Sequence, residues 1–569
     1  MGAELPLEGM SGMEQYDFCS MSFYQIWIRS FCDGNGDGIG DLYGVYDKLE
    51  YIRSLGVDGI WFSPIYPSPN ADYGYDISDY KNVHPDYGDL EQFQKVLQKA
   101  HSLGLRVILD LVINHTSDEH PWFIESRKGK DNPYSDYYIW RDPRWKRRKK
   151  RPPNNWFSQF EGLAWEYDDR REQYYLHVFA RKQPDLNMDN PKVREEVKSI
   201  MRFWLEMGVD GFREDVITYI SKHPQLPDGI PFLPGINGLP FYQDGPNLMT
   251  YLKEFRAVAQ EYGAIQIGEA PMTSVKTALR FLTGENRVLD MMIQFDTMMA
   301  DCFLMEYIHH NFWLTKLKRA FSKWQYALAG KAWNALYLEN HDHPRIISRY
   351  GNEKYWRESG TMLAACYIFQ QGTPFIYQGQ EIGMTNIELS SIDQYLDVLS
   401  IHAYHTFFKH QSEAKRLHRI HVSSRDSART PMQWSRAVNA GFSTVEPWFY
   451  VNPNYPEVNV ELEEQDPNSI LNFYRRCLTM RKRYHTLIWG SYKEYFPWNR
   501  KIYVYERRLD RERILVLCSF SQENQEYRLP KGYAEEEAEL LLCNYPRPIT
   551  AGVLHSYEVR VFRWLEERA

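Results

Sequence analysis

Eight short apolar runs, most of them separated by stretches of helical spacing, constrain the fold of this chain more than any other feature. Phe23 to Ile28 is the first, a buried-strand signal. Val45, Leu49, Ile52 and Leu55 then repeat at helical spacing, with Gly56 as a stop. VDGIWFSP follows as a second strand. Asp89, with Gln92 three residues on, has the pattern of a capping box. Leu90, Phe93, Val96, Leu97 and Ala100 form the stripe behind it, and Gly104 ends it. LRVILDLVI is the third strand. Strand, helix, strand, helix predicts a parallel sheet.

The rhythm breaks over residues 116–190, where charged and aromatic stretches and prolines show no clear helix, so an inserted domain is expected. Its basic run RWKRRKK reads as a solvated loop tip beside Pro152 and Pro153 rather than a nucleic-acid patch. At Asn190-Pro191 the alternation resumes, with Asn as cap and Pro in the first turn. A helix over 192–207 leads into VDGFREDV, then IQIGEA, MMIQFD, WNALYLENHD and TPFIYQGQEIG. Eight β/α units close into a barrel. After about residue 490, KIYVYERRL, RILVLCSFS, AELLLCNY and YEVRVFRWL read as short strands. The expected architecture is therefore α/β. A (β/α)8 TIM barrel (residues 1–115 and 191–488) carries an inserted domain after strand 3 (116–190) and a C-terminal all-β sandwich domain (489–569).

Composition narrows the function classes. A net charge of −8 argues against a nucleic-acid partner. The longest apolar run, Met362 to Phe369, is far short of the ~20 residues of a membrane span. The first 18 residues carry acids and no apolar core, so no signal peptide is expected. Seven scattered cysteines without a CxxC fit reduced thiols in a cytoplasm.

In such a barrel, chemistry gathers at the C-terminal ends of the strands. Asp110, Asp215, Glu269, Asp296 and Asp342 lie at such ends. A buried strand end is a costly place for a charge unless it is paired or used. Glycoside hydrolysis needs two carboxyls, one ionised and one protonated near neutral pH. A third can stabilise an oxocarbenium-like transition state. Asp110 and Asp296 are expected to be structural. His341-Asp342-His343 could suggest a metal, but other strands offer no obvious further ligands.

The chain resembles glycoside hydrolase family 13, the α-amylase superfamily, and within it the oligo-1,6-glucosidase and α-glucosidase branch. DLVINH (110–115), GFREDV (211–216), GEA (268–270) and ENHDHPR (339–345) resemble its four signatures, and QPDLN (183–187) the branch's extra one. The resemblance implies Asp215 as nucleophile, Glu269 as acid/base and Asp342 as the third carboxylate. It implies Arg213 beside the nucleophile, where a cation should keep Asp215 ionised. His115 and His341 would bind the glucose of the −1 subsite. ADYGYD (71–76) would close that subsite, with Asp72 on the non-reducing-end hydroxyls and Tyr75 as stacking floor. RDSARTPMQW (425–434) would supply Arg429 to complete the pocket, and Phe179 would line it. Val216, after the nucleophile, resembles the residue of enzymes that prefer α-1,6 linkages.

The expected activity is thus a retaining, exo-acting α-glucosidase on short α-1,6-glucosides. The alternatives are an α-1,4-preferring maltase, a trehalose-6-phosphate hydrolase or, from another class, a non-catalytic subunit like transporter heavy chains. The last has a membrane span and loses catalytic acids; this chain keeps all three. Sucrose isomerases of the branch carry RLDRD where this chain reads FDTMMADCF, which disfavours isomerisation. Glu214 and Met188 depart from the family pattern. If Glu214 points into the barrel, it adds a charge beside the nucleophile.

DGNGDGIGD (33–41) places oxygens at alternate positions, Asp33, Asn35, Asp37 and Asp41, as in an EF-hand-type loop, though without the glutamate at position twelve. The family resemblance adds the Ile39 carbonyl and implies a structural Ca2+.

Overall fold

The computed structural model describes residues 17–160, 162–231, 236–303, 305–546 and 551–566. The signal-peptide reading falls largely outside these residues. All eight apolar runs become strands: β1 (Phe23–Ile26), β2 (Gly59–Phe62), β3 (Arg106–Leu111), β4 (Gly211–Glu214), β5 (Ile265–Glu269), β6 (Met291–Ile293), β7 (Trp333–Leu336) and β8 (Thr373–Tyr377). They close in sequence order into one parallel barrel. Phe23 is in register with Gly59 on one side and Phe375 on the other, which seals the ring. Each strand is buried on both faces, which is why it reads as an apolar run rather than an alternation. Gly211 opens β4 because a Cβ there would lie 2.3 Å from the Ile265 carbonyl oxygen.

A principal helix follows every strand: α1 (Leu42–Ser54), α2 (Leu90–Ser102), α3 (Pro191–Met207), α4 (Leu248–Glu261), α5 (Val275–Leu282), α6 (Leu314–Leu328), α7 (Trp356–Ile368) and α8 (Ile470–Arg483). Asn190 caps α3 by accepting from the Lys192 amide, and Gly208 ends it at φ 108°. Asp89 caps α2 by accepting from the Gln92 amide. The reciprocal half of the capping box is absent, because the Gln92 side chain donates to the Leu42 carbonyl at 3.5 Å.

The segment between β3 and α3 holds a three-stranded antiparallel sheet (residues 140–141, 165–168 and 173–176). It also holds a short helix, Pro121–Ser126, which the sequence did not announce; the His120 side chain accepts from the Trp122 amide to start it. The basic run is a hairpin rather than a loop tip. Residues 144–146 pair with 149–151, and Arg147 and Arg148 turn at φ 49° and 61°. Both strands are exposed, so no apolar alternation marks them. After residue 490 a five-stranded antiparallel sheet forms in the order 491–495, 502–509, 512–519, 559–565, 539–543, beside a two-stranded pair (525–526 and 553–554). One face docks on the barrel, where buried Arg507 donates to the Phe369 and Leu487 carbonyls. The other encloses Ile502, Val504, Leu517, Leu554 and Phe562. Among the described residues no helix is long and apolar enough to cross a membrane.

Candidate active site

Strand alternation sets the site. Arg213 on β4 points into the barrel, fully buried. Its guanidinium donates to Asp110 at 2.7 Å, to Asp215 at 2.6 Å and to Glu269. The Val216 amide also donates to Glu269, at 3.3 Å. One cation thus faces three carboxyls. Burial pushes Asp215 well above the usual carboxylate range; Arg213 pulls it down, and Glu269, Asp110 and Asp342 push it up. Burial likewise lifts Glu269 to about 7 against the pull of Arg213. Arg213, expected to keep Asp215 ionised, divides its charge among the three carboxyls. A retaining mechanism needs one proton and one negative charge on the Asp215–Glu269 pair. Asp110 is structural as expected, accepting also from the Tyr75 hydroxyl at 2.9 Å.

Beside this pair lies a second group. His341 stacks between Trp27 and Tyr75, with ring centroids at 5.3 and 5.1 Å. The Gln25 amide donates to its Nδ1 at 2.7 Å, which leaves the proton on Nε2, 3.0 Å from Asp342. Burial would raise Asp342, but His341, Arg425 and Arg429 together hold it well below the usual range. Burial lowers His115 to about 3, so its ring is neutral. His115 sits 3.1 Å from the Tyr75 carbonyl and 3.2 Å from the Gln183 amide, which also donates to Asp72 at 3.2 Å.

The arginine that completes the pocket is Arg425, four residues before the expected Arg429. Arg425 donates to Asp72 at 3.3 Å, Asp342 at 3.2 Å and Asp397 at 2.8 Å. Arg429 lies behind it, over the Trp27 ring at 4.6 Å, and reaches Asp342 at 3.4 Å.

These groups open on one cavity at the barrel rim. It is lined by Asp72, Tyr75, His115, Phe179, Asp215, Val216, Glu269, Asp342 and Arg425, and by further residues including Tyr219, Phe295, Met299, Glu306 and Tyr307. Arg213, His341 and Arg429 support it from behind. Val216 holds φ 36°, a left-handed conformation that is a rare state for a β-branched residue and a mark of strain at a functional rim. Asp296 plays no part here: it is paired with Lys323 at 2.5 Å and accepts from Trp324 at 2.7 Å.

Glu214 points away from the nucleophile, since Arg213 takes the inward position. It accepts from Gln266 at 2.7 Å and leaves its second oxygen without a partner. Burial raises it to about 7. The folded state then holds a proton that the unfolded chain loses near 4.5, so stability falls as pH rises from about 4.5 to 7, by up to roughly 3 kcal/mol. Glu214→Met should therefore raise the melting temperature more at pH 8 than at pH 5. Equal shifts at both pH values would show that burial does not raise the Glu214 carboxyl in the fold. Met188 is buried, and its carbonyl accepts from Arg194 at 2.7 Å.

In the 33–41 loop the donors are all oxygen. Asp33 accepts from the Gly36 and Gly38 amides at 2.6 and 2.9 Å, Asn35 from Asp37 at 2.9 Å, and Asp37 from Ile39 at 2.8 Å. These bonds orient three side chains and leave them free lone pairs, a donor set that suits a hard cation. Asp41 instead accepts from the Gly34, Asn35 and Gly44 amides and caps α1.

A closed parallel barrel whose rim brings two carboxyls together on one cavity has the layout that glycoside hydrolysis requires. The family model described as alpha amylase, catalytic domain, matches residues 25–490. The oligo-1,6-glucosidase of Parageobacillus thermoglucosidasius is 46% identical over 529 residues, 92% of this chain and 93% of that protein. The trehalose-6-phosphate hydrolase of Bacillus licheniformis superposes with a TM-score of 0.90 at 39% identity, covering 97% of this chain and 100% of that one. The trehalulose synthase MutB from Pseudomonas mesoacidophila MX-45 gives 0.90 at 39% identity, covering 96% and 99%. The chain belongs to the α-amylase family of glycoside hydrolases.

Proposed function

We propose that the protein is a retaining, exo-acting α-glucosidase that removes glucose from the non-reducing end of short α-1,6-glucosides. The observation that carries this reading is that Asp215 and Glu269, from neighbouring strands, face one cavity and share one guanidinium. Two carboxyls held by one such group stand close together, which suits the roughly 5–5.5 Å of a retaining pair better than the wider spacing of an inverting one. Asp215 attacks the anomeric carbon while Glu269 gives its proton to the leaving oxygen. Water then cleaves the glycosyl-enzyme ester with Glu269 as base. Asp342, held ionised, stabilises the positive charge on the ring.

The pocket's end supports exo action. Asp72, Arg425 and Asp342 form an ion-paired wall that fits one non-reducing glucose and stops a passing chain. A phosphorylated disaccharide fits this lining less well. Among the described lining residues Arg425 is the one cation, and it is already engaged by three carboxylates. Seven unpaired cysteines support a reducing, cytoplasmic setting.

The finer claim is linkage. Val216 on the cavity wall offers no hydroxyl to a secondary alcohol, and its bulk leaves room for a flexible C6 arm. A single-group change in such a wall shifts preference by roughly 10- to 200-fold, not absolutely. Isomaltose should show a higher kcat/KM than maltose, and Val216→Thr should move the ratio toward maltose. With both sugars competing in one tube, faster loss of maltose would sink the α-1,6 assignment.

We also propose a structural Ca2+ held by Asp33, Asn35, Asp37 and the Ile39 carbonyl, while Asp41, expected as a fifth ligand, spends its carboxylate on the Gly34, Asn35 and Gly44 amides. The ion's role is to stiffen the loop before α1. Asp37→Ala should lower the melting temperature by several degrees with little change in linkage preference. Elemental analysis of protein purified without chelator that found neither calcium nor magnesium would remove the ion.

A further inference from the structure

The hairpin after β6 carries a group that the mechanism does not use. Residues 302–303 pair with 305–309, and Glu306 on this hairpin lines the active-site cavity. The hairpin's base is fixed firmly. Asp301 binds Arg349 at 2.5 Å and His309 at 3.0 Å, and Arg349 also donates to the Met298 carbonyl at 2.6 Å. Asp301, Cys302 and His309 place donor atoms within 4.8 Å of one another. Yet the guanidinium of Arg349 already sits on Asp301 and 3.8 Å from the Cys302 sulfur, where it would repel a metal. The cluster is an anchor, and what it holds in place is Glu306.

Charge then indicates a ligand. The described cavity wall carries five carboxyls, Asp72, Asp215, Glu269, Glu306 and Asp342, against the single cation Arg425. Arg425 is consumed by Asp72, Asp342 and Asp397. Aromatic rings of Tyr219, Phe295 and Tyr307 share the wall with Glu306. A carboxylate flanked by aromatic faces is a receptor for an ammonium group.

Resting on the α-glucosidase reading, we propose that Glu306 determines aglycone specificity and that the leaving-group side of the cavity favours α-glucosides whose aglycone carries an amine. On this proposal Glu306 meets the departing part of the substrate, while Asp72, Asp342 and Arg425 hold the glucose. Burial raises Glu306 to about 7, and the charges that act on it are, in order, Asp342, Arg425, Arg349 and Glu269, so it is largely ionised at pH 8.

The test compares 2-aminoethyl with 2-hydroxyethyl α-D-glucopyranoside at pH 8, by glucose release. The two differ in charge and hardly in size. Wild type should favour the amine in kcat/KM by about tenfold, equivalent to ~1.4 kcal/mol, and the preference should shrink as salt is added. Glu306→Gln should bring the ratio to near one, mainly through KM. A wild-type ratio near one overturns the proposal without any variant. So does a preference that survives in Glu306→Gln, because some other group then carries it. If neither these substrates nor p-nitrophenyl α-D-glucopyranoside is cleaved by wild type, the α-glucosidase reading itself falls, and the inference with it.

Discussion

Asp215→Ala and Glu269→Gln should each lower turnover of isomaltose by roughly four or more orders of magnitude, since each removes a group that the covalent route requires. The two losses should differ on an activated substrate. Nitrophenolate leaves without a proton, so Glu269→Gln should lose much less of the first, glycosylating step on p-nitrophenyl α-glucoside. Asp215→Ala should lose both substrates alike. The pH profile adds a sign. A retaining mechanism needs Glu269 protonated, and burial lifts this carboxyl to about 7. The rate on isomaltose should therefore fall as pH rises past about 7. Asp110→Asn removes a neighbouring negative charge and frees part of Arg213, both of which lower the carboxyls, so that alkaline limb should move to lower pH. Glucose should appear first as the α anomer. Release of the β anomer first would exclude retention, and equal losses on both substrates would exclude Glu269 as the acid.

The sequence disclosed the barrel because parallel strands buried on both faces must be apolar throughout, and eight such runs admit few other closures. It disclosed the floor of the site because Arg213, Asp215 and Glu269 lie on or beside strands, where the backbone fixes direction. Even Glu214 was readable on that principle: if Arg213 points inward, its neighbour on the strand points out. Loop residues carried less information. Arg425 and Arg429 fall in one 3₁₀ turn, Arg425–Arg429. With three residues per turn, positions four apart differ by about a third of a turn. One arginine therefore faces the cavity and the other the Trp27 ring, and the motif alone does not say which. Glu306 lay in no motif at all. Its only signal was an acid in an irregular stretch, and its placement depends on the distant pairing of Asp301 with Arg349.

Arg425→Ala should cost about a hundred- to a thousandfold in kcat/KM on isomaltose, more than Arg429→Ala. Arg425 is buried among Asp72, Asp342 and Asp397. Removing one partner from a buried ion-pair network costs about 3–5 kcal/mol, because the carboxylates left behind lose their counter-charge. They respond by taking up protons. Asp342 is kept low chiefly by His341, then Arg425 and Arg429. Without Arg425 its carboxyl rises, and the charge that should meet the oxocarbenium ring is lost at mildly acidic pH. The acid limb of the pH profile should therefore move upward in Arg425→Ala, which a purely structural loss would not produce. Arg425→Lys keeps the charge but has a single ammonium in place of a fork, so it cannot hold Asp72 and Asp342 together with the same geometry. It should restore the acid limb while recovering only part of the rate. Arg429→Ala removes one 3.4 Å contact to Asp342 and the stack on Trp27, and should cost tenfold or so, with a smaller shift of the limb. A larger loss for Arg429→Ala than for Arg425→Ala, measured side by side on the same substrate, would mean that the arginine behind the pocket, and not the one lining it, governs the charge of Asp342.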